Sequence, residues 1–501
     1  MTGPRMFGAA LAAALAMGAA HAGAEPVSTK VSTQGGLLQG VDKDGVTSWL
    51  GIPFAAAPVG DLRWRAPQPA PTWTGVKAAD HFGPGCMQNV SPTTPGAGYP
   101  INEDCLYLNV WAADGPTTPK RPVMVWIHGG GFNIGATSWP QTDGTALARR
   151  GVILVSTSYR LGKFGFFAHP ALTHEADGAP AGNYGLMDLM AALKWVKANI
   201  SAFGGDPDNV TIFGESAGGG AVSMLMASPQ ARGLFEKAIA ESPGPFNLKS
   251  RKAAEADGVA AAQGWGVTGD DPAALRALPA AKVLGAATMS QGGGSPMVDG
   301  QVLPSEPLDA FRAGAIAHVP FLVGTNSYEA GLFPGSEKGL EQRFAQDWKQ
   351  VQAIYDGYGT HAEERIKGQL ATDLIMTWPA RQAARGSASA GDPTYVYSFN
   401  YLRPSQRGKV PGALHFDEVY EVFGTEPTSP GKDANDAAIV DAMQSRWTSF
   451  ARTGAPSPDW PRYKPSGGAV EVFTDDGPKV ERGYEEARMA LDENLTQPKA
   501  P

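Results

Sequence analysis

Three short apolar runs, each stopped by glycine or a turn residue, set the pattern of the middle of the chain. Val123-Met124-Val125-Trp126-Ile127 stops at Gly129-Gly130-Gly131, Val152-Ile153-Leu154-Val155 stops near Tyr159-Arg160, and Val210-Thr211-Ile212-Phe213 stops at Gly214. Unbroken apolar runs of this length, bounded by turn signals, predict strands buried on both faces. Between the second and third runs, Leu189, Ala192, Leu193 and Val196 recur at helical spacing and predict a helix over 188–200. Strand, helix, strand with right-handed crossovers predicts an α/β fold on a mostly parallel sheet.

The flanks are less regular. Gly51-Ile52-Pro53-Phe54-Ala55 and Leu62-Arg63-Trp64-Arg65-Ala66-Pro67 are punctuated by proline and carry no helical period, so short strands or irregular chain are expected there. Val319-Pro320-Phe321-Leu322-Val323 and Tyr395-Val396-Tyr397-Ser398-Phe399 predict two later strands. Residues 333–385 read as mostly helical and could cap the carboxyl edge of the sheet. The chain contains no internal repeat, and no linker rich enough in Pro, Gly or Ser to divide it.

Composition narrows the class. With 501 residues, 43% hydrophobic, and 12 Trp, the chain has ample material for a packed core. A formal charge of −8 supplies no basic field for nucleic acid or anionic lipid. Arg5, the small apolar run from Met6 to Ala20, and Ala20-His21-Ala22 or Ala22-Gly23-Ala24 predict a signal peptide over 1–24 and export to the periplasm or the medium. That run is too short for a membrane anchor, and no later segment is apolar enough to span a bilayer. The two cysteines, Cys86 and Cys105, are then expected to form a disulfide, closing a loop worth about 3 kcal/mol of unfolded-state entropy.

The candidate chemistry lies at Gly214-Glu215-Ser216-Ala217-Gly218, a Gly-x-Ser-x-Gly elbow whose small residues permit a strained strand-to-helix turn that exposes the serine hydroxyl. In a chain with 63 Gly the bare pattern would arise by chance about 0.4 times, so context must decide. The context is a strand before it and a small, apolar helix-like stretch, 217–226, after it. Serine needs a base, an orienting acid and donors for an oxyanion. His128-Gly129-Gly130-Gly131-Phe132 follows a strand as an oxyanion loop would, and makes Gly130, Gly131 and Ala217 the expected donors, with His128 supporting the loop. Chain order in this chemistry is Ser, acid, His, and only His318, His361 and His415 follow Ser216. His361 precedes a charged helical stretch and His318 a strand. His415 lies in a loop after a strand, where a base belongs. Glu329 follows the 319–323 strand and is the favoured acid, over Asp299, which precedes it.

These residues closely resemble the type B carboxylesterase and cholinesterase family across nearly the whole mature chain. Phe203-Gly204-Gly205-Asp206-Pro207 through Gly218 is similar to its serine signature, and Glu103-Asp104-Cys105-Leu106-Tyr107-Leu108-Asn109 to its second signature. Gly324-Thr325-Asn326-Ser327-Tyr328-Glu329 resembles the segment carrying the family's acid, and Gly412-Ala413-Leu414-His415-Phe416-Asp417-Glu418 the one carrying its histidine. The resemblance implies one α/β-hydrolase domain over residues 25–501, a deep gorge, a Ser216–Glu329–His415 triad, no metal and no organic cofactor. The loop between Cys86 and Cys105 holds no Trp to take a quaternary ammonium, so choline specificity is not expected.

The expected function is hydrolysis of a small-molecule carboxylic ester through an acyl-enzyme, with no partner protein implied. Amide, carbamate or lactone hydrolysis would use the same triad. A non-catalytic adhesion protein of the same family would lack a triad member, and this chain carries the full set.

Overall fold

The apolar runs form the middle of an eleven-stranded sheet in the computed structural model, which describes residues 27–90, 98–115, 120–244, 248–286, 293–333, 335–356, 362–425, 434–466 and 468–496. The expected signal segment, 1–24, and His361 lie outside the described residues. In chain order the strands are β1 (Val41–Lys43), β2 (Val46–Pro53), β3 (Tyr107–Ala113), β4 (Arg121–Ile127), β5 (Ile153–Thr157), β6 (Gly205–Glu215), β7 (Lys237–Glu241), β8 (Phe321–Asn326), β9 (Thr394–Phe399), β10 (Ala469–Thr474) and β11 (Gly477–Arg482). They lie side by side as β11-β10-β9-β8-β7-β6-β4-β5-β3-β2-β1. Every neighbouring pair from β10 to β5 is parallel, and antiparallel pairs close both edges.

The side chains of β4 show why its run is unbroken. Val123, Val125 and Ile127 enter one hydrophobic cluster, and Met124 and Trp126 enter the cluster on the opposite face. Both faces are covered, so the alternation of a half-exposed strand is absent. Trp126 is fully buried against Phe213 and Phe423, a core residue and not a pocket wall.

The helices that matter for the site are α1 (Tyr184–Asn199), α2 (Ala217–Ala227), α3 (Trp378–Ser389), α4 (Asp417–Phe423) and α5 (Ala434–Thr453). The helix expected over 188–200 begins earlier, at Tyr184, and Gly185 in its first turn is a packing glycine: its missing Cβ leaves room for the Phe166 ring and the Arg160 carbonyl. β8 begins at Phe321, since Pro320 has no N–H and only its carbonyl joins the sheet, accepting from Ala238 N at 3.0 Å.

The segment 333–385 is largely helical, with Leu340–Arg343, Trp348–Asp356 and Glu363–Thr372 leading through a π turn into α3. It has a core of its own, Val351, Tyr355, Ile366 and Leu370, which Leu491 and Leu495 of the helix Glu486–Thr496 complete. Ala330 N, just past the end of β8, donates to Thr372 Oγ1 at 3.1 Å and roots this layer at the carboxyl end of the sheet. Cys86 and Cys105 form the expected disulfide. Among the described residues no helix is long and apolar enough to cross a membrane.

Candidate active site

The turn from β6 into α2 is built around Ser216. Its backbone sits at φ 56° and ψ −123°, a conformation that costs a non-glycine residue strain and persists only where its surroundings impose it. Here the carboxyl end of β4 imposes it. A Cβ on Gly214 would stand 2.5 Å from the Ile127 carbonyl oxygen, and one on Gly218 would overlap that same atom. Ser216 N donates to Glu241 O at 2.9 Å, and α2, every residue of which is buried, runs away beneath the sheet. The serine is left half-buried at the open side of the turn.

The glycine loop after β4 lies beside it. Gly130, Gly131 and Phe132 all take positive φ, 101°, 61° and 61°, and Asn133 N and Ile134 N both donate to Gly130 O, at 3.1 and 3.0 Å. Among the described residues neither Gly130 N nor Gly131 N donates to a backbone carbonyl. Ala217 opens α2, where an N–H has no partner four residues back. Three amides are thereby available near Ser216. His128 is 2% exposed and stacks on Tyr159, ring centroids 4.6 Å apart. Burial pulls it down to about 4, against the contact of Nδ1 with Gly129 O, so its ring is neutral and serves the loop as a strut.

Glu329 and His415 come together from different loops. Glu329 follows β8, is fully buried, and accepts at Oε1 from Asn326 N (2.7 Å) and Ser242 Oγ (2.6 Å). Its Oε2 lies 2.6 Å from His415 Nδ1. The histidine loop is stapled to the same strand end: Ala413 N donates to Ser327 Oγ, Tyr328 N to Ala413 O, and Asn326 Nδ2 to Leu414 O. Nε2 of His415 is 2.9 Å from Glu215 Oε1, and neither atom completes a hydrogen bond. The structure thus joins Glu329 to His415 and brings His415 to the residue next to Ser216, without a hydrogen bond from His415 to Ser216 itself.

Burial by itself would lower His415, but the Glu215 and Glu329 carboxylates on its two nitrogens outweigh it and hold the imidazole well above its ordinary 6.5. Glu215 is raised by burial, with His415 pulling it back. Glu418 is raised well above its ordinary value by burial and by Glu215, Glu329 and Glu241, and it accepts from Asn326 Nδ2. Sequence reasoning missed Glu215, Ser242 and Glu418. Glu215 had one available signal, its place immediately before Ser216 in the elbow. Ser242 had none, since its role depends on β7 lying next to β8.

The alternatives have other duties. Asp299 Oδ1 accepts from Gln301 N and Leu303 N within a turn, and His318 is an exposed partner of Asp392. A groove of about 660 Å³ between α1 and residues 66–72 contains none of the candidate groups, so the chemistry and not the volume marks the site.

Residues 27–491 match the model of the carboxylesterase family. The chain belongs to that family. Fumonisin B1 esterase of Sphingopyxis macrogoltabida is 35% identical over 475 residues, 88% of this chain and 85% of the relative. Para-nitrobenzyl esterase of Bacillus subtilis is 37% identical over 464 residues, 86% and 92% of the two chains. Among solved structures, a PNB esterase superposes with a TM-score of 0.80 at 33% identity over 94% of this chain and 100% of its own. A carboxylesterase of Geobacillus stearothermophilus gives 0.80 at 35%, again over 94% and 100%. The fold is therefore the α/β-hydrolase fold, and this member of the carboxylesterase family is a carboxylic ester hydrolase of the serine type.

Proposed function

We propose that the enzyme cleaves small-molecule carboxylic esters through an acyl-enzyme on Ser216, with His415 as base, Glu329 orienting it, and the amides of Gly130, Gly131 and Ala217 receiving the oxyanion. The observation that carries the assignment is the Glu329–His415 pair. One carboxylate oxygen is fixed by Asn326 N and Ser242, and the other takes the Nδ1 proton, so Nε2 is the basic face and points toward the serine turn. In resting serine hydrolases the serine–histidine contact is often loose and tightens once substrate is bound. Ser216 Oγ then attacks the ester carbonyl while Nε2 takes its proton, and the same proton returns to the departing alcohol. Water repeats the sequence on the acyl-enzyme and releases the acid. Glu215, beside Nε2, stabilises the imidazolium that exists between the two transfers.

A panel of aryl, alkyl and polycarboxylate esters is the appropriate assay, with fumonisin B1 and a para-nitrobenzyl ester, for which two relatives are named, included. Ser216→Ala, which removes only the hydroxyl from the half-buried turn, is expected to lose turnover and organophosphate labelling together while keeping the unfolding midpoint. Retained turnover in that variant would refute the proposal. We further propose export, with residues 1–24 removed, supported by the apolar start after Arg5 and by the cysteine pair. A mature protein whose intact mass still includes Met1 would exclude it.

A further inference from the structure

The loop that carries Gly130 and Gly131 is gripped at both ends from the disulfide. At its far end, Gln88 stands two residues after Cys86 and is 2% exposed. Its carboxamide pairs with the backbone of Gly135 as one strand pairs with another. Nε2 donates to Gly135 O at 2.7 Å, and Gly135 N donates to Oε1 at 2.9 Å. Nε2 also donates to Cys86 O at 3.0 Å, so both donors of the amide are used. Gly135 is fitted to this place, with φ 132° and no room for a Cβ beside the His128 ring. At the near end, Cys105 O accepts from Ser158 Oγ. The next residue, Tyr159, donates its hydroxyl to His128 O at 2.9 Å and stacks on the His128 ring.

Between these two grips lies one tight turn closed on Gly130 O, rich in glycine and therefore free to wander if an end is released. Oxyanion donors work only when held within about 0.5 Å of their productive position. We propose that Gln88 is a positioning residue for the oxyanion hole, tethered by the Cys86–Cys105 disulfide and acting through its clasp on Gly135. It touches no substrate. It sets where the Gly130 and Gly131 amides point. The inference rests on the assignment of those amides above.

The oxyanion exists only in the transition state and intermediate, so a misplaced loop lowers kcat and leaves KM nearly unchanged. Gln88→Met keeps the side-chain volume and removes both bonds to Gly135, and Gln88→Ala removes the volume as well. With active sites counted by organophosphate titration, each is expected to lower kcat per active site about 10- to 100-fold. Affinity for a trifluoromethyl ketone, whose adduct places an oxyanion in the hole, should fall by a similar factor. A merely structural residue would reduce the number of active sites and leave both quantities alone. Cys86→Ser/Cys105→Ser, which keeps Gln88 but frees its tether, should give a smaller loss in the same direction. Gly130→Ala, whose Cβ would overlap Ile134 O, is the control for the hole itself. If Gly130→Ala abolishes turnover while Gln88→Met keeps kcat and ketone affinity within about twofold, the clasp is refuted and the hole stands. If Gly130→Ala retains full turnover, the oxyanion assignment itself fails.

Discussion

Replacing Glu241 with glutamine should make the enzyme progressively more stable, relative to the parent, as pH rises. Glu241 ends β7 with no exposed surface. Burial drives its carboxyl up to about 8, Trp447 opposes this by donating Nε1 to Oε1 at 2.7 Å, and the neighbouring Glu215 adds to it. Oε2 has no hydrogen-bond partner. At pH 7 the folded protein therefore holds Glu241 as the neutral acid, whereas the unfolded chain ionises it near 4.5. The native state binds the extra proton, so this group costs stability as pH rises from 4.5 toward 8. Neutral pH lies 2.5 above the ordinary carboxyl value, and each such step is about 1.4 kcal/mol, which puts the cost at about 3 kcal/mol. Glutamine has the shape of the neutral acid, still accepts from Trp447, and ionises in neither state. Urea unfolding followed by tryptophan fluorescence should show the stability of Glu241→Gln relative to the parent rising by about 3 kcal/mol between pH 4.5 and pH 7, on top of any pH-independent cost of placing the amide NH2 at the partnerless Oε2 position. A difference between variant and parent that does not grow with pH would mean that the folded protein carries Glu241 ionised and that the burial argument is wrong.

The proposed base must be neutral to accept the serine proton, so activity is expected above the folded pKa of His415 and should be lost as pH falls through it. Because two carboxylates hold that value well above 6.5, Glu215→Gln should move the acid limb of the kcat/KM profile to lower pH; an unmoved or raised limb would show that Glu215 does not act on the imidazole. Members of a triad act as a unit, so His415→Ala should lower kcat about a thousandfold or more, close to the loss in Ser216→Ala. Glu329→Gln should cost less, since it spoils the tautomer and leaves the base in place, and equal losses on an ester assay would argue for a larger role for the acid.

Much of the site was legible in the sequence because its parts are local. The elbow at 214–218 and the glycine loop at 128–132 each follow an apolar strand and each shows its glycines in the sequence; the loop needs them for positive φ, a local cause, whereas the reason at the elbow, contact with Ile127 of the neighbouring strand, is visible only in the fold. Chain order and the family's segments were enough to choose Glu329 and His415, 86 positions apart, which the fold then joined at 2.6 Å. The α/β class followed from alternation of period, because a strand buried on both faces and a helix buried on one leave different apolar patterns. Boundaries were less legible at α1 and β8, where the helix extends back past the apolar spacing to include Gly185, which serves close packing, and where Pro320 lies in an apolar run yet cannot donate to the sheet. What only the tertiary structure decided is what depends on strand neighbours far apart in sequence. Register places Glu241 beside Glu215, β7 beside β8 brings Ser242 to Glu329, and the disulfide loop delivers Gln88 to Gly135. No periodicity encodes those meetings, because each is set by the folding of two segments onto a common sheet and not by the residues adjoining either one.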